Sequence, residues 1–117
     1  FYLAHEGLEM VINKRSSNLS QSQDWLSDLS SCQTENGCTI YFSNIGDLSI
    51  QPCVSSGCPV LNKDDGVYGY SQGQDTIFRR KITIDTVSND ADNQAKITSE
   101  VEWRDRNTIL STYIFKQ

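Results

Sequence analysis

The first 17 residues decide which folds are open to this chain, because they form the one segment able to cover a β-sheet. Their apolar side chains recur at helical spacing: Phe1, Leu3, Ala4, Leu8, Met10, Val11 and Ile12. Gly7 interrupts this pattern at a cost of about 1 kcal/mol relative to alanine, and close approach of a neighbouring backbone would explain it. The sequence therefore predicts an amphipathic helix over residues 1–17 that packs against a sheet or other helices.

No helix start signal stands at the beginning of this segment. A Ser, Thr, Asp or Asn usually precedes the apolar period of a helix, often with a proline at the first helical position. None of these precedes Phe1, and the chain does not begin with Met. We therefore expect the helix to begin upstream of Phe1.

The last third of the chain carries the clearest strand signals. Residues 78–84, 97–103 and 109–115 alternate apolar and polar side chains with a period of two. Turn-forming residues separate these runs at 90–94 and 105–108. Three consecutive strands joined in this way form an antiparallel meander, whose apolar face the N-terminal helix would cover. The predicted fold class is α+β, with a long N-terminal helix packed on an antiparallel sheet.

Shorter elements are predicted between the helix and the meander. Asp24 could cap a short helix over 24–29, and its anchors would be Trp25, Leu26 and Leu29. Residues 39–42 and 48–51 predict a hairpin.

A chain of 117 residues can bury one ordinary core. We therefore expect a single domain, with the helix over 1–17, a loop region over 18–66 and the antiparallel strands over 67–117.

Four cysteines fall in the loop region: Cys32, Cys38, Cys53 and Cys58. Their even number and crowding favour two disulfides, each worth roughly 2–4 kcal/mol in an oxidising compartment. A zinc site is disfavoured, because paired zinc ligands are usually separated by two residues and here five and four intervene. Three pairings are open, and the short loops favour Cys32–Cys38 with Cys53–Cys58.

The charge of the chain argues against nucleic acid as the expected partner. A formal net charge of −5 opposes non-specific attraction to phosphate backbones. Arg79, Arg80 and Lys81 form the densest basic cluster, and we expect Glu100 and Glu102 to neutralise it across the strands. Arg80 shares a face with apolar residues and is expected at the edge of the core with its stem buried.

Neither catalysis nor a cofactor is indicated. His5, the single histidine, lies on the predicted helix without a signalled nucleophile, and no Gly-x-Ser-x-Gly motif is present, so we expect no enzyme. Asp90 and Asp92 begin a turn that offers oxygen ligands to calcium. The glycine and glutamate of a calcium-binding loop do not follow, so a solvated turn is favoured over a metal site.

The order of these parts resembles a type IV pilin-like protein of the minor pilin or pseudopilin kind. Residues 2–9 resemble the second half of the pilin helix, and four later segments, 66–70, 76–84, 97–103 and 111–113, resemble the strand blocks of such bacterial proteins. The resemblance implies that the chain is an exported domain whose precursor carries a further apolar half-helix, upstream of Phe1, in the inner membrane.

The function implied is that of a structural subunit of a type IV pilus or a related pseudopilus or secretion filament outside the cell. Its partners would be other pilin-like subunits and the pilus assembly machinery. Part of the helix face, drawn from Leu3, Leu8, Met10 and Val11, would contact neighbouring subunits. Aspartate at Leu3 or Met10 is then expected to block assembly without changing the melting of the domain.

The alternative is a secreted, disulfide-stabilised binding or adhesin module. In that interpretation loops 31–60 carry recognition, and the helix is a core element without a role in a filament.

Overall fold

A computed structural model describes residues 1–42, 48–64, 67–70, 73–86 and 93–116 of the chain. Helix α1 spans Tyr2–Ser20, and a short 3₁₀ helix spans Ser30–Gln33. The strands are β1 (Cys38–Phe42), β2 (Leu48–Pro52), β3 (Val60–Asp64), β4 (Val67–Gly69), β5 (Gln74–Thr86), β6 (Gln94–Trp103) and β7 (Arg106–Phe115).

Strand β5 organises the sheet, because its two edges accept different partners. On one edge β6 runs antiparallel from Arg79↔Glu102 to Thr86↔Ala95, and β7 pairs antiparallel with β6. On the other edge β3 pairs near the start of β5, and β1 pairs at Ile82. β4 and β2 extend this second side by pairing with β3 and β1. The predicted meander and the predicted β1–β2 hairpin are both confirmed.

Helix α1 covers one face of this sheet, which confirms the α+β class. Its buried residues are Leu3, Ala4, Gly7, Leu8, Met10, Val11 and Asn18. Gly7 allows the close approach: a Cβ atom there would lie 2.7 Å from Ser99 Oγ and 2.8 Å from Ile82 Cδ1. Side chains of β5 and β6, rather than their backbone, therefore explain the glycine in the helix.

The opposite face of the meander is polar along much of β5 and β6, whereas Ile109, Tyr113 and Phe115 of β7 are exposed on it. Alternation along β5 and β6 places Arg79, Lys81 and Glu102 on this face, while Arg80, Ile82 and Ser99 are buried beneath the helix. One face of the meander is therefore buried in the core, and the other is free to contact other molecules.

The short helix predicted over 24–29 is replaced by turns. Asp28 has a φ of 67°, in the left-handed region, which a continuous helix does not accept. Asp24 does accept a hydrogen bond from the Leu26 amide at 3.3 Å, but it stabilises a turn. Trp25, Leu26 and Leu29 are nevertheless buried, as predicted for the anchors of this segment.

Helix α1 and strands β3 and β7 also differ from the sequence prediction, and β7 begins at Arg106, inside the turn expected over 105–108. Helix α1 continues to Ser20, three residues beyond the predicted end. Buried Asn18 explains this ending, because its side-chain amide donates to the carbonyls of Trp25 at 3.2 Å and Ser27 at 3.0 Å. Strand β3 was not predicted, because its short apolar signal, Val60 and Leu61, stands in turn-rich surroundings.

Candidate functional site

The side chain of Arg80 is completely buried between helix and sheet. Its guanidinium donates to the Leu3 carbonyl at 3.0 Å, to Glu6 Oε1 at 2.7 Å and to the Ile40 carbonyl at 2.9 Å. The expectation that this residue lies at the edge of the core is wrong, because the charge is buried as well as the stem. Alternation alone could not show this, because the partners come from α1 and β1.

Two tyrosines lie close to this buried charge. The rings of Tyr41 and Tyr70 meet edge to face with their centroids 4.9 Å apart. Burial raises the pKa of Tyr70 from its ordinary value of 10.0 to about 12, although Arg80 opposes the rise. The Tyr70 hydroxyl has no hydrogen-bond partner among the described residues. The two rings pack beside the buried guanidinium and are partly buried themselves, so the cluster fits a role in packing.

The predicted assembly face of the helix is buried in the chain's own core. Leu3 and Leu8 are 7% exposed, Met10 is 4% exposed and Val11 is fully buried. They cover the sheet, so none is free to contact a neighbouring subunit in this structure. The burial of Leu3 and Met10 argues against the expectation that aspartate there leaves melting unchanged, because either change would place a carboxylate where an apolar side chain is buried.

The helix instead exposes aromatic side chains at its start. Phe1 is 78% exposed and Tyr2 is 67% exposed. Further along the outer side of α1 the exposed residues include His5, Glu9 and Asn13, which are polar. Phe1 and Tyr2, called here the aromatic pair, are the most exposed large apolar side chains of this segment, and Leu19 near its other end is 36% exposed.

A second exposed apolar surface follows strand β7. Ile109, Tyr113 and Phe115 lie on one side of this strand and are 55%, 52% and 50% exposed. Within the described residues β7 pairs only with β6, so its other edge offers free backbone groups. A groove of about 220 Å³ lies where Tyr113 and Phe115 meet Ile12 and Arg15 of α1. Ile109, Tyr113 and Phe115 are called here the β7 patch.

Both disulfides form in the pairing that the short loops favoured. Cys32 bonds to Cys38, and Cys53 bonds to Cys58. The two closed loops lie side by side, because the Cys53 amide donates to the Gly37 carbonyl at 3.0 Å. The cysteines therefore fix the position of two loops against the sheet.

A pocket of about 360 Å³ opens between these two loops and the polar face of the meander. It is called here the loop pocket, and its lining residues are Asn36, Val54, Ser55, Ser56, Gly57, Cys58, Arg79, Lys81 and Glu102. The sequence predicts that Arg79, Lys81 and Glu102 are cross-strand neighbours, but it does not predict that they line a pocket. The missing information was the position of the second disulfide loop, which no local pattern specifies.

Within the described part of the chain, Glu100 and Glu102, which were predicted to neutralise the basic cluster, form no ion pair with it. The register does place Arg79 opposite Glu102 and Lys81 opposite Glu100. However, the Lys and Arg ion pairs of the described residues join Lys14 to Asp28 and Arg80 to Glu6. Glu100 accepts a hydrogen bond from the Asn107 amide at 2.9 Å instead. Arg79 and Lys81 therefore keep their charges available at the pocket.

The remaining candidates for metal binding and catalysis are Asp90, Asp92 and His5. Asp90 and Asp92, the calcium candidates, lie outside the described residues. Within the described ranges no three His, Cys, Asp or Glu side chains come together as a metal-binding group. His5 lies on the exposed helix surface with Nε2 3.6 Å from Glu9 Oε1.

No helix of the described chain combines the length and the apolar character needed to cross a membrane. Comparison of the chain with models of protein families, with characterised proteins and with solved structures gave no match.

Proposed function

We propose that this chain is a non-enzymatic structural subunit of an extracellular filament of the type IV pilus or pseudopilus kind. One observation carries the proposal: a 19-residue helix lies along an antiparallel meander and presents two exposed aromatic rings at its start. In a full-length precursor, an apolar helical segment upstream of Phe1 would hold the subunit in the inner membrane before assembly.

The aromatic pair replaces the assembly face predicted from the sequence. Burying a large apolar side chain contributes roughly 1.5–3 kcal/mol, so Phe1 and Tyr2 favour contact with a neighbouring subunit. The polar residues that follow on the same helix surface contribute much less. Within the described part of the helix, the contact is therefore concentrated at Phe1 and Tyr2.

The β7 patch supplies a different surface for the opposite side of the subunit. A filament grows by heterologous contacts, in which one surface of a subunit meets a different surface of the next. The aromatic pair and the β7 patch are two such surfaces. We assign the contact to the aromatic pair of one subunit and the β7 patch of its neighbour.

The proposal is tested in cells that carry the intact gene. Tyr2→Ser is expected to lower the amount of this chain in the sheared filament fraction at least tenfold, measured by immunoblotting against the cell-associated amount. The melting temperature of the isolated chain should not change, because Tyr2 is 67% exposed. Asn13→Ser, an exposed change further along the same helix, serves as the control.

Two results would contradict this function. One is a wild-type chain that never enters filaments, and the other is normal incorporation of both Tyr2→Ser and Tyr113→Ser. The coding sequence upstream of Phe1 gives an independent check. About 20 apolar residues behind a short basic leader support the filament subunit, whereas an ordinary cleavable signal supports the secreted binding module.

A further inference from the structure

The loop pocket has a rigid frame that does not depend on any partner. The Cys53–Cys58 disulfide closes one wall, and within this loop the Gly57 amide donates to the Val54 carbonyl at 2.9 Å. The other wall belongs to the loop closed by Cys32–Cys38. Strands β5 and β6 form the floor. A ligand would therefore meet a largely preformed surface, which lowers the entropic cost of binding.

Two cations face this pocket without a carboxylate partner. Neither Arg79 nor Lys81 has a carboxylate oxygen within 4.0 Å among the described residues. Both side chains line the pocket, and Glu102 is the one carboxylate among its described lining residues. The two cations indicate that the pocket accepts an anionic group.

Both cations are also held in place. One guanidinium nitrogen of Arg79 donates to the Cys58 carbonyl at 2.6 Å, which leaves further N–H donors on the same group. The stem of Lys81 packs on Gly37, where a Cβ atom would lie 2.9 Å from Lys81 Cγ. The two side chains are therefore positioned before a ligand arrives.

The other lining residues identify what the anion is attached to. Glu102 would repel a bare phosphate or sulfate ion, but its carboxylate can accept hydrogen bonds from hydroxyl groups. Ser55, Ser56 and Asn36 add short polar side chains that both donate and accept. A molecule that combines one carboxylate with several hydroxyl groups would match both the two cations and the other polar side chains of the pocket.

We infer that the loop pocket binds an acidic saccharide, with the sugar carboxylate on Arg79 and Lys81 and the hydroxyl groups on Ser55, Ser56, Asn36 and Glu102. A volume of about 360 Å³ accommodates one to two sugar rings. This inference does not depend on the filament role, because it rests on the lining residues of the pocket and uses neither the aromatic pair nor the β7 patch. Binding of a single sugar unit is expected at a dissociation constant on the order of 1 mM, since the cations are solvent-accessible.

The test is a titration of the isotope-labelled 117-residue chain with glucuronate, followed by backbone amide NMR shifts. Saturable shifts are expected at Ser55, Ser56 and Gly57, and glucose at the same concentration should leave these amides unmoved. Lys81→Met should weaken glucuronate binding about tenfold, because it removes the charge and keeps the packed stem. Lys96→Met changes the net charge equally on an exposed part of β6 and should bind like the wild type.

A second variant keeps the inference falsifiable if Lys81→Met perturbs the fold. Glu102→Gln should lower the preference for glucuronate over inorganic phosphate, because it removes the repulsion that disfavours phosphate. Equal shifts with glucose and glucuronate would overturn the inference, as would shifts that map away from the loop pocket. Tighter binding of phosphate than of glucuronate by the wild-type chain would also overturn it, since it would show a simple anion site.

Discussion

At the scale of single residues, Arg80 has the largest structural consequence. Its guanidinium connects three parts of the chain: the start of α1 through Leu3 and Glu6, β1 through Ile40, and β5 to which it belongs. A buried ion pair contributes little net stability compared with a well-packed apolar pair. Removing one partner is costly, because the other charge and the carbonyl groups then remain buried without a donor.

We therefore predict that Arg80→Met lowers the free energy of unfolding by about 3–5 kcal/mol, measured by urea denaturation. Arg106→Met, on exposed backbone at the start of β7, should change it by no more than about 0.5 kcal/mol. Equal effects of the two substitutions would show that the buried ion pair does not hold the helix on the sheet.

Tyr70 gives a prediction about pH. Its folded-state pKa of about 12 lies above the ordinary value of 10.0, so the folded chain holds the phenolic proton more tightly than the unfolded chain does. The corresponding stability is fully present below pH 10 and is lost as the pH rises through about 12. Tyr70→Phe removes this group, so its free energy of unfolding should fall less between pH 10 and 12 than that of the wild type.

At neutral pH the same substitution should be neutral or slightly stabilising, by up to about 1 kcal/mol, because the buried hydroxyl has no partner among the described residues. Tyr113→Phe, at a half-exposed ring on β7, is the matched control. Parallel pH profiles for the wild type and Tyr70→Phe would refute the assignment.

At the scale of elements, the distance between α1 and the meander depends on Gly7. Alanine is the better helix former by about 1 kcal/mol, so local propensity alone predicts that Gly7→Ala stabilises the chain. The structure predicts the opposite, because the added methyl group would meet Ser99 Oγ at 2.7 Å and Ile82 Cδ1 at 2.8 Å. Tertiary packing should prevail over propensity at this position.

Gly7→Ala is therefore expected to destabilise the chain by about 1–3 kcal/mol, measured by thermal or urea unfolding. Adding Ser99→Ala removes one of the two clashing atoms and should restore part of the loss. A double-mutant cycle measures this coupling directly. Additive effects of the two substitutions would show that the helix does not approach β6 as closely as described.

At the scale of the whole molecule, the buried apolar residues form two clusters on one sheet. The larger includes Trp25, Leu29 and Ile84, and the smaller includes Leu61 and Val101 with Trp103 packed against it. α1 contributes to both, with Leu3 and Ala4 in the smaller cluster and Leu8 and Val11 in the larger. A shared helix should make the two clusters unfold together.

This predicts a single cooperative transition that two reporters can test. Trp103→Phe leaves Trp25 as a fluorescent probe of the larger cluster, and Trp25→Phe leaves Trp103 as a probe of the smaller one. In each variant the fluorescence transition should coincide with the loss of far-ultraviolet circular dichroism in urea. Separate transitions would show that the chain contains two units rather than the single domain expected from its length.

The sequence by itself determined the elements whose signals are local. Helical spacing identified α1, alternation identified β5, β6 and β7, and the short cysteine spacings favoured the observed disulfides. These patterns are readable because each depends on neighbours within a few residues.

The tertiary structure alone decided which surfaces are free. Leu3, Leu8, Met10 and Val11 had the right spacing for one face of a helix, but spacing does not show whether the sheet or another subunit covers that face. The complete burial of Arg80 also depends on contacts between residues distant in the chain. The same holds for the loop pocket, which Arg79 and Lys81 line together with Ser55 and Ser56. Such contacts follow from how the elements pack, and no local sequence period specifies that packing.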